Sequence, residues 1–246
     1  MATARDGTTG PPTSSNGASS HHVFWELDAP RDDPIVRVAA TLRIVETPSV
    51  AKLYFWALQA TFRAGTRAMG GAHLGLQHHP AYPGNGAANW GGYHRAESGS
   101  SGELSGSDLT VASTLRNSNT GDYPWQPGRA YRLAIEPAGP GRWSGSITDG
   151  DTGLRTTLRE LWVDADRLTD FVVWTEAFAD CDAPPVEIRW SDLESTTASG
   201  VAIRPPSVRF GYQKVGDGGC STSSSHAAFI DGIDVVVQRT GVDPRE

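Results

Sequence analysis

The sequence has little of what marks several large classes of protein. It holds 21 Lys and Arg against 28 Asp and Glu, which gives a formal net charge of −7. A nucleic-acid partner is disfavoured because phosphate binding needs a basic stripe and none is visible. The same acidic balance disfavours anionic membranes. No apolar run approaches the roughly 20 residues of a membrane-spanning helix. We therefore expect no nucleic-acid and no membrane partner.

Cysteine is also scarce, with only Cys181 and Cys220 in the chain. Both lie in polar, turn-rich sequence and neither belongs to a CxxC pair, which excludes a zinc ribbon and a thioredoxin-type motif. The first 22 residues lack the apolar stretch of a secretory signal, so the sequence predicts a cytoplasmic protein. In a reducing cytosol we expect two free thiols, with one disulfide between them as the alternative.

Glycine and proline are plentiful instead, at 28 and 16 residues, while 38% of the chain is hydrophobic. This balance favours many short strands joined by turns. The stretch 35–44 alternates apolar and polar residues with period two, and "AKLYFWALQATF" is apolar on both faces, as in a central strand covered twice. "AYRLAIEP" and "RWSGSITD" flank the turn "AGPG" and predict a hairpin. No segment shows a sustained helical period.

The predicted architecture is therefore one antiparallel β-sandwich of 246 residues in total length. Residues 1–20 are rich in Gly, Ser, Thr and Pro, and we expect a disordered N-terminal tail there. Residues 21–246 are predicted to form a single domain, because neither a repeat nor a second composition regime is present.

The stretch "WQPGRAYRLAIEPAGPGRWSGSITDGDTG" resembles the concanavalin-A-like lectin and glucanase superfamily, whose members are jelly rolls. More narrowly, "AHLGLQ" and "RLTDFVVWTEAF" followed by "VEIRWSDL" resemble a bacterial family of lectin-like domains, the DUF3472 type. The resemblance covers roughly residues 23–195. It implies a jelly-roll fold, and it informs fold far more than function because this architecture hosts lectins, glycanases, lyases and structural modules.

Residues 70–95 hold four of the seven histidines. In a strand through this stretch, Leu74 and Leu76 face one way while His73, Gln77 and His79 face the other. The following loop, 80–93, adds further side chains suited to a sugar: Tyr82, Asn89, Trp90 and Tyr93. Aromatic rings stack on sugar faces, and amides and imidazoles bond to hydroxyls. The alternative is that Trp90 and Tyr93 cap the end of the sandwich.

Metal binding is not expected from these histidines. His73 and His79 are six residues apart and would lie about 20 Å from each other along a strand. Neither an HxH nor an HExxH spacing occurs in the chain. We therefore predict no metal and no cofactor.

A second constellation is Trp174 and Glu176, which share one face of "FVVWTEAF". An acid beside a large aromatic is the pairing that jelly-roll glycanases use, but those enzymes need two carboxylates. The ExDxxE pattern of one glucanase class is absent. Arg189 is expected to pair with Glu176 or Glu187. If the protein is an enzyme, Glu176, His78 and Tyr93 are the predicted acid and base groups.

The leading prediction is a lectin-like domain that binds a carbohydrate or another small polar ligand. Its predicted binding residues are Gln77, His79, Tyr82, Asn89, Trp90, Trp174 and Arg189. The alternatives are an enzyme on the same face (a glycan hydrolase, a lyase or an intracellular tailoring enzyme) and a non-catalytic structural module. The sequence leaves the oligomeric state open.

Overall fold

Two antiparallel β-sheets face each other across an apolar core, as the computed structural model shows. It describes residues 9–28, 30, 32–95 and 102–241. The predicted all-β jelly-roll sandwich is confirmed. Helix in the described part is limited to two single 3-10 turns, Pro83–Asn85 and Val215–Asp217. No helix there has the length and hydropathy needed to cross a membrane.

The described residues form fifteen strands. In chain order they are β1 (Ser19–Glu26), β2 (Ile35–Ile44), β3 (Tyr54–Ala64), β4 (Arg67–His78), β5 (Gly86–His94), β6 (Thr120–Asp122), β7 (Ala130–Gly139), β8 (Arg142–Asp149), β9 (Arg155–Trp162), β10 (Arg167–Ala177), β11 (Val186–Thr197), β12 (Ala202–Ile203), β13 (Ser207–Tyr212), β14 (Ser224–Ile230) and β15 (Ile233–Thr240).

One sheet has seven strands, in the order β13-β1-β10-β3-β4-β5-β6. The other has eight, in the order β14-β15-β11-β2-β7-β8-β9, and β12 pairs with β11 beside this path. The predicted hairpin is confirmed as β7 and β8, whose pairing runs from Tyr131 opposite Asp149 to Gly139 opposite Arg142. The period-two pattern of β2 is confirmed as well, because Val38, Ala40 and Leu42 are fully buried.

β5 corrects the predicted loop over 80–93. Gly86–His94 is a strand that pairs with β4 along its whole length, and only residues 79–85 connect the two. Glycine has a low strand propensity, which hides this strand in the sequence. Here the missing side chains allow close packing: a Cβ at Gly92 would lie 2.2 Å from the carbonyl oxygen of Gly71.

The two cysteines form a disulfide, so the expectation of free thiols is wrong. Cys181 follows β10 and Cys220 precedes β14, and the bond joins these two connections. Their flanking turns meet at one end of the sandwich, which brings the thiols within bonding distance although 39 positions separate them.

The N-terminal segment contacts the same end. The Cys181 amide donates to the carbonyl oxygen of Gly10, at 2.8 Å, and the Thr13 amide donates to that of Gly218, at 3.0 Å. β1 then begins at Ser19. The structure therefore places residues 9–20 in defined contacts, earlier than the predicted start of the domain at residue 21. Residues 1–8 of the predicted tail lie outside the described residues.

Candidate functional site

The outer surface of the seven-stranded sheet carries the candidate site. Leu58 and Leu74 point into the core, so their neighbours along β3 and β4 point outward. Strand register aligns the outward residues of five neighbouring strands in three rows. The first row is Ser20, Glu176, Phe55, Gln77 and Ala87; the second is His22, Trp174, Ala57, Gly75 and Asn89; the third is Phe24, Val172, Gln59, His73 and Gly91.

An aromatic strip crosses this surface, formed by His22, Trp174, Phe55, His73 and Tyr93. The rings of Phe55 and Trp174 meet edge to face with centroids 4.9 Å apart. His73 lies 5.5 Å from Phe55, 5.9 Å from Trp174 and 6.5 Å from Tyr93. His22 lies 6.4 Å from Trp174 on the other side. These separations are those of favourable aromatic pairs, so the strip is continuous. Its central rings, Phe55 and Trp174, are only 6% and 7% exposed, and Tyr93 is its most exposed ring.

The middle row is shallow beside the Trp174 ring because Ala57 and Gly75 have small side chains or none. A Cβ at Gly75 would lie 2.0 Å from the carbonyl oxygen of Trp56, so the close approach of β3 and β4 requires glycine there. The Trp174 indole is held in place, since its Nε1 donates to Gln59 Oε1 at 3.1 Å. Ala57 is fully buried in a cluster with Phe55 and Trp174, so these rings close over the middle row and the fixed indole forms part of the outer surface.

Glu176 lies in the first row next to Phe55. Burial raises the pKa of its carboxyl group, and a hydrogen bond from Asn16 Nδ2, at 2.8 Å, opposes that rise. Gln77 lies on the far side of Phe55, two strands away, which is about 10 Å at a strand spacing of ~4.8 Å. Gln77 of the first predicted constellation and Glu176 of the second therefore share one face.

Five predicted site residues lie on this surface: Gln77, Asn89, Tyr93, Trp174 and Glu176. Tyr93 is 52% exposed, whereas Gln77, Asn89 and Trp174 are each largely covered by their neighbours. Asn89 donates from Nδ2 to Thr120 Oγ1 at 2.7 Å. Tyr93 is therefore the widely exposed member of this group, and the covered members define the shape of the surface beside it.

Trp90 and Arg189 lie elsewhere. Trp90 is fully buried and points into the core, because it pairs with the inward-facing Leu74. It therefore has no access to a ligand. Arg189 belongs to β11 in the other sheet, where its guanidinium contacts Glu187 at 2.9 Å. That contact confirms one of the two ion pairs predicted for Arg189, and it separates this residue from the candidate surface.

The remaining predicted residues, His78, His79 and Tyr82, have structural roles at the turn between β4 and β5. His78 points inward at the end of the sandwich, with its ring 6.3 Å from Tyr54 and 6.5 Å from Trp125. His79 and Tyr82 meet edge to face at 5.2 Å, and Tyr82 is buried. These three side chains hold the turn, so they are not part of the outward rows.

Phe55, Gln59 and His22 are surface members that the sequence reasoning missed. The apolar strand "AKLYFWALQATF" is predicted to be covered on both faces. No second sheet lies over its outer face among the described residues, and Phe55 and Ala57 are buried there by side chains of the same sheet. The signal was Gln59, a polar residue two positions from Ala57 and four from Phe55, which marks the outward side of an otherwise apolar strand.

A second carboxylate is not close to Glu176 on this surface of the described sheet. The next one along the first row is Asp122 on β6, four strands away, which is about 19 Å at ~4.8 Å per strand. Two-carboxylate glycoside hydrolysis needs roughly 5–10 Å between the carboxyl groups. In the part of the chain that the structure describes, no group of three or more His, Cys, Asp or Glu is placed to hold a metal ion.

No protein-family model matches the chain, and no curated protein matches it either. Among solved structures, SCP-B, an Eqolisin-family peptidase, is 6% identical, with a TM-score of 0.48 and alignment over 96% of this chain and 100% of that one. Scytalido-glutamic peptidase is 9% identical over the same shares, with a TM-score of 0.47. The κ-carrageenase of Pseudoalteromonas carrageenovora is 8% identical, with a TM-score of 0.33 over 96% of this chain and 84% of that one. These similarities are too weak to transfer chemistry.

Proposed function

We propose that the outer surface of the seven-stranded sheet binds a carbohydrate, or another flat polar ligand, without changing it chemically. The observation that carries this proposal is the aromatic strip, which runs without interruption across five strands. Its polar neighbours include Gln77, Gln59 and Glu176, and these groups can bond to hydroxyls. Apolar rings flanked by a few directional polar groups are the usual composition of a sugar site.

An enzyme on the same surface is the second candidate function. It is favoured by the raised pKa of the Glu176 carboxyl, since buried carboxyl groups with raised pKa values act as proton donors in active sites. Tyr93 is the exposed partner on this surface, whereas His78 points away from it. The binding proposal comes first because no second carboxylate of the described sheet lies within catalytic distance of Glu176.

The proposal is tested by titrating the purified protein with a panel of neutral and acidic oligosaccharides, using thermal shift and then calorimetry. A ligand at 100 times its Kd adds about 2.7 kcal/mol to stability. For a chain of this size that corresponds to a rise in Tm of roughly 5–10 °C. Absence of any shift across the panel would contradict the proposal and favour the structural-module alternative.

Variants connect the binding to this surface. We expect Tyr93→Ala and Trp174→Ala to lower the affinity for the sugar about three- to tenfold, since an aromatic contact contributes ~0.5–1.5 kcal/mol. Trp162→Ala is the matched control, because Trp162 is 51% exposed on β9 of the other sheet. Tyr93 is itself half exposed, so its truncation tests binding without disturbing the core. Equal affinity in Tyr93→Ala, Trp174→Ala and the control would exclude this surface.

Glu176→Gln separates the two candidate functions. A binding domain forms no product from the bound oligosaccharide with either side chain. An enzyme forms product that Glu176→Gln abolishes while the affinity is kept. Chromatography of the oligosaccharide after prolonged incubation reads out the difference, and product formed by the wild type alone would replace the first proposal with the second.

We also propose that the protein resides in an oxidising compartment. The sequence predicted a cytoplasmic protein, but a disulfide between Cys181 and Cys220 is typical of oxidising compartments, so we favour such a compartment. Fractionation of producing cells, with thiol labelling of each fraction, tests this choice. The resemblance to DUF3472-type domains stays a prediction.

A further inference from the structure

The two long sides of the sandwich differ in how they are closed. On one side, residues 102–119 bridge the sheets: Glu103 pairs with Tyr93 of β5, and Gly106 pairs with Leu161 of β9. Leu104 from this segment is buried in the core. On the other side the edge strands are β13 and β14, and a cavity of about 890 Å³ opens between the sheets there.

This cavity exposes side chains that belong to the inner faces of the sheets. Val208 and Phe210 come from β13, since they pair with the inward-facing Trp25 and Val23. Ala227 of β14 pairs with the buried Val236, so Ala227 and Phe229 also face inward. The Phe229 side chain is nevertheless 72% exposed. The apolar interior is thus uncovered along this side of the described chain.

The opening widens from one end of β14 to the other. Near its start the two edges are joined, because the Ser225 amide donates to Tyr212 Oη at 2.9 Å and Tyr212 Oη donates to the Ser225 carbonyl oxygen at 3.3 Å. Beyond Ser225, toward Phe229, the cavity lies between them. The Tyr212–Ser225 contact therefore closes one end of the mouth, and the cavity opens beyond it.

β14 is an unprotected edge. It pairs with β15 on one side only within the described sheet, and its sequence SSHAAFI contains neither an acidic residue, nor Lys or Arg, nor proline. Edge strands normally carry charges, prolines or bulges that prevent pairing with another chain. An uncharged edge beside an exposed Phe is instead a template for strand addition.

We propose that this side is the interface between two copies of the chain, joined by antiparallel pairing of β14 with β14. Two identical antiparallel strands are related by a two-fold axis perpendicular to their sheet. Both copies then keep their inner faces on the same side, so the two uncovered apolar mouths face each other. In the register centred on Ala228, Phe229 lies opposite Ala227 of the second copy and His226 lies opposite Ile230. The Ser225 edge that is bonded to Tyr212 stays outside this pairing, and no like-charged pair arises along the strand.

The charges at the rim also suit a second copy. Arg204, Asp192 and Asp234 line the cavity, so its rim carries both signs. A rim of mixed sign can pair with its own symmetry mate, which gives charge complementarity without a different partner. The terminal segments of the chain are less suited to cover the cavity. Gly10 and Gly241 adjoin Cys181 and Ala183, which lie at the far end of β15 from Ile233.

Sedimentation velocity on the full chain over roughly 1–100 μM tests the interface. We expect a species of twice the 26.2 kDa chain mass for the wild type, and the chain mass for Phe229→Glu. Leu154→Glu is the matched control, because Leu154 is 68% exposed in the turn between β8 and β9, and it should remain dimeric. Phe229 is mostly exposed, so the fold survives its replacement, which circular dichroism verifies.

A cross-linking variant tests the register. Ala228→Cys places two thiols beside the two-fold axis, where strand partners have Cα atoms about 4.5–5.5 Å apart, within disulfide range. Mild oxidation should give a covalent dimer, whereas Ser224→Cys, about 27 Å from its symmetry mate at ~3.4 Å per residue, should not. A wild type that is monomeric at all concentrations overturns the proposal, as does a dimer unaffected by Phe229→Glu. A monomer whose mouth binds an apolar dye would assign the cavity to a small ligand instead.

Discussion

At the level of single residues, burial keeps two histidines neutral. His21 points into the core, and neither ring nitrogen has a hydrogen-bond partner among the described residues. Desolvation, with a smaller contribution from His22, lowers its pKa to about 3. His73 lies in the aromatic strip, and burial lowers its pKa to about 4. Both imidazoles are therefore uncharged in the folded protein even where free histidine would be protonated.

These two histidines predict that the protein loses stability in mild acid. Their folded pKa values lie below the unfolded value of 6.5, so the unfolded chain binds more protons and stability falls as the pH drops from 6.5 toward 4. At pH 5 each contributes a loss of ~2 kcal/mol, at about 1.4 kcal/mol per pH unit. Glu176, whose pKa is raised, acts in the opposite direction.

Urea unfolding at pH 7.5 and pH 5 measures this loss. We expect His21→Leu to reduce the difference between the two pH values by about 2 kcal/mol, because the variant removes a titrating group that forms no hydrogen bond. Equal stability of the wild type at the two pH values would contradict the assigned burial of both imidazoles.

At the level of elements, glycines determine how β5 and β8 pack across the core. Gly145 on β8 leaves the space that the Trp90 ring occupies, since a Cβ there would lie 2.5 Å from the indole Cδ2. Trp90 is fully buried, so its ring has no room to move away. Because Gly145 has no side chain, the large Trp90 ring fits against β8, which explains why Trp90 belongs to the core.

Gly145→Ala is therefore expected to destabilise the fold by about 1–3 kcal/mol through overpacking. Gly216→Ala is the control, because a Cβ at Gly216 meets nothing within 4 Å and its change should stay within ~0.5 kcal/mol. Chemical denaturation of both variants provides the comparison. Equal stability of the two would mean that Trp90 is not seated against β8.

Alternation along β4 was enough to predict that Leu74 and Leu76 are buried while Gln77 faces out, because period two assigns the faces of any clearly patterned strand. It was not enough for Trp90. Glycine-rich β5 has no such pattern, so its sequence predicts a loop and does not indicate the side to which Trp90 points. Whether Gln77 and Glu176 share a face depends on strand order. Strand order brings together residues about 100 positions apart, so no local sequence pattern predicts it.

At the level of the whole molecule, the disulfide joins two connections that lie 39 residues apart. Closing a loop of that length lowers the entropy of the unfolded chain by an amount equivalent to about 4 kcal/mol. Reduction, or the double variant Cys181→Ser with Cys220→Ser, should lower Tm by roughly 8–16 °C. Scanning calorimetry with and without reductant measures the change. Two titratable thiols in the untreated protein would contradict the bond.

The central claim is that the aromatic strip forms a saccharide-binding surface on the seven-stranded sheet. Its most direct test is calorimetric titration of wild type, Tyr93→Ala and Trp162→Ala with whichever oligosaccharide of the panel gives the largest rise in Tm. We predict that Tyr93→Ala binds about three- to tenfold more weakly while Trp162→Ala binds as the wild type does. Undiminished binding by Tyr93→Ala and Trp174→Ala, or no oligosaccharide bound by the wild type, would contradict the claim.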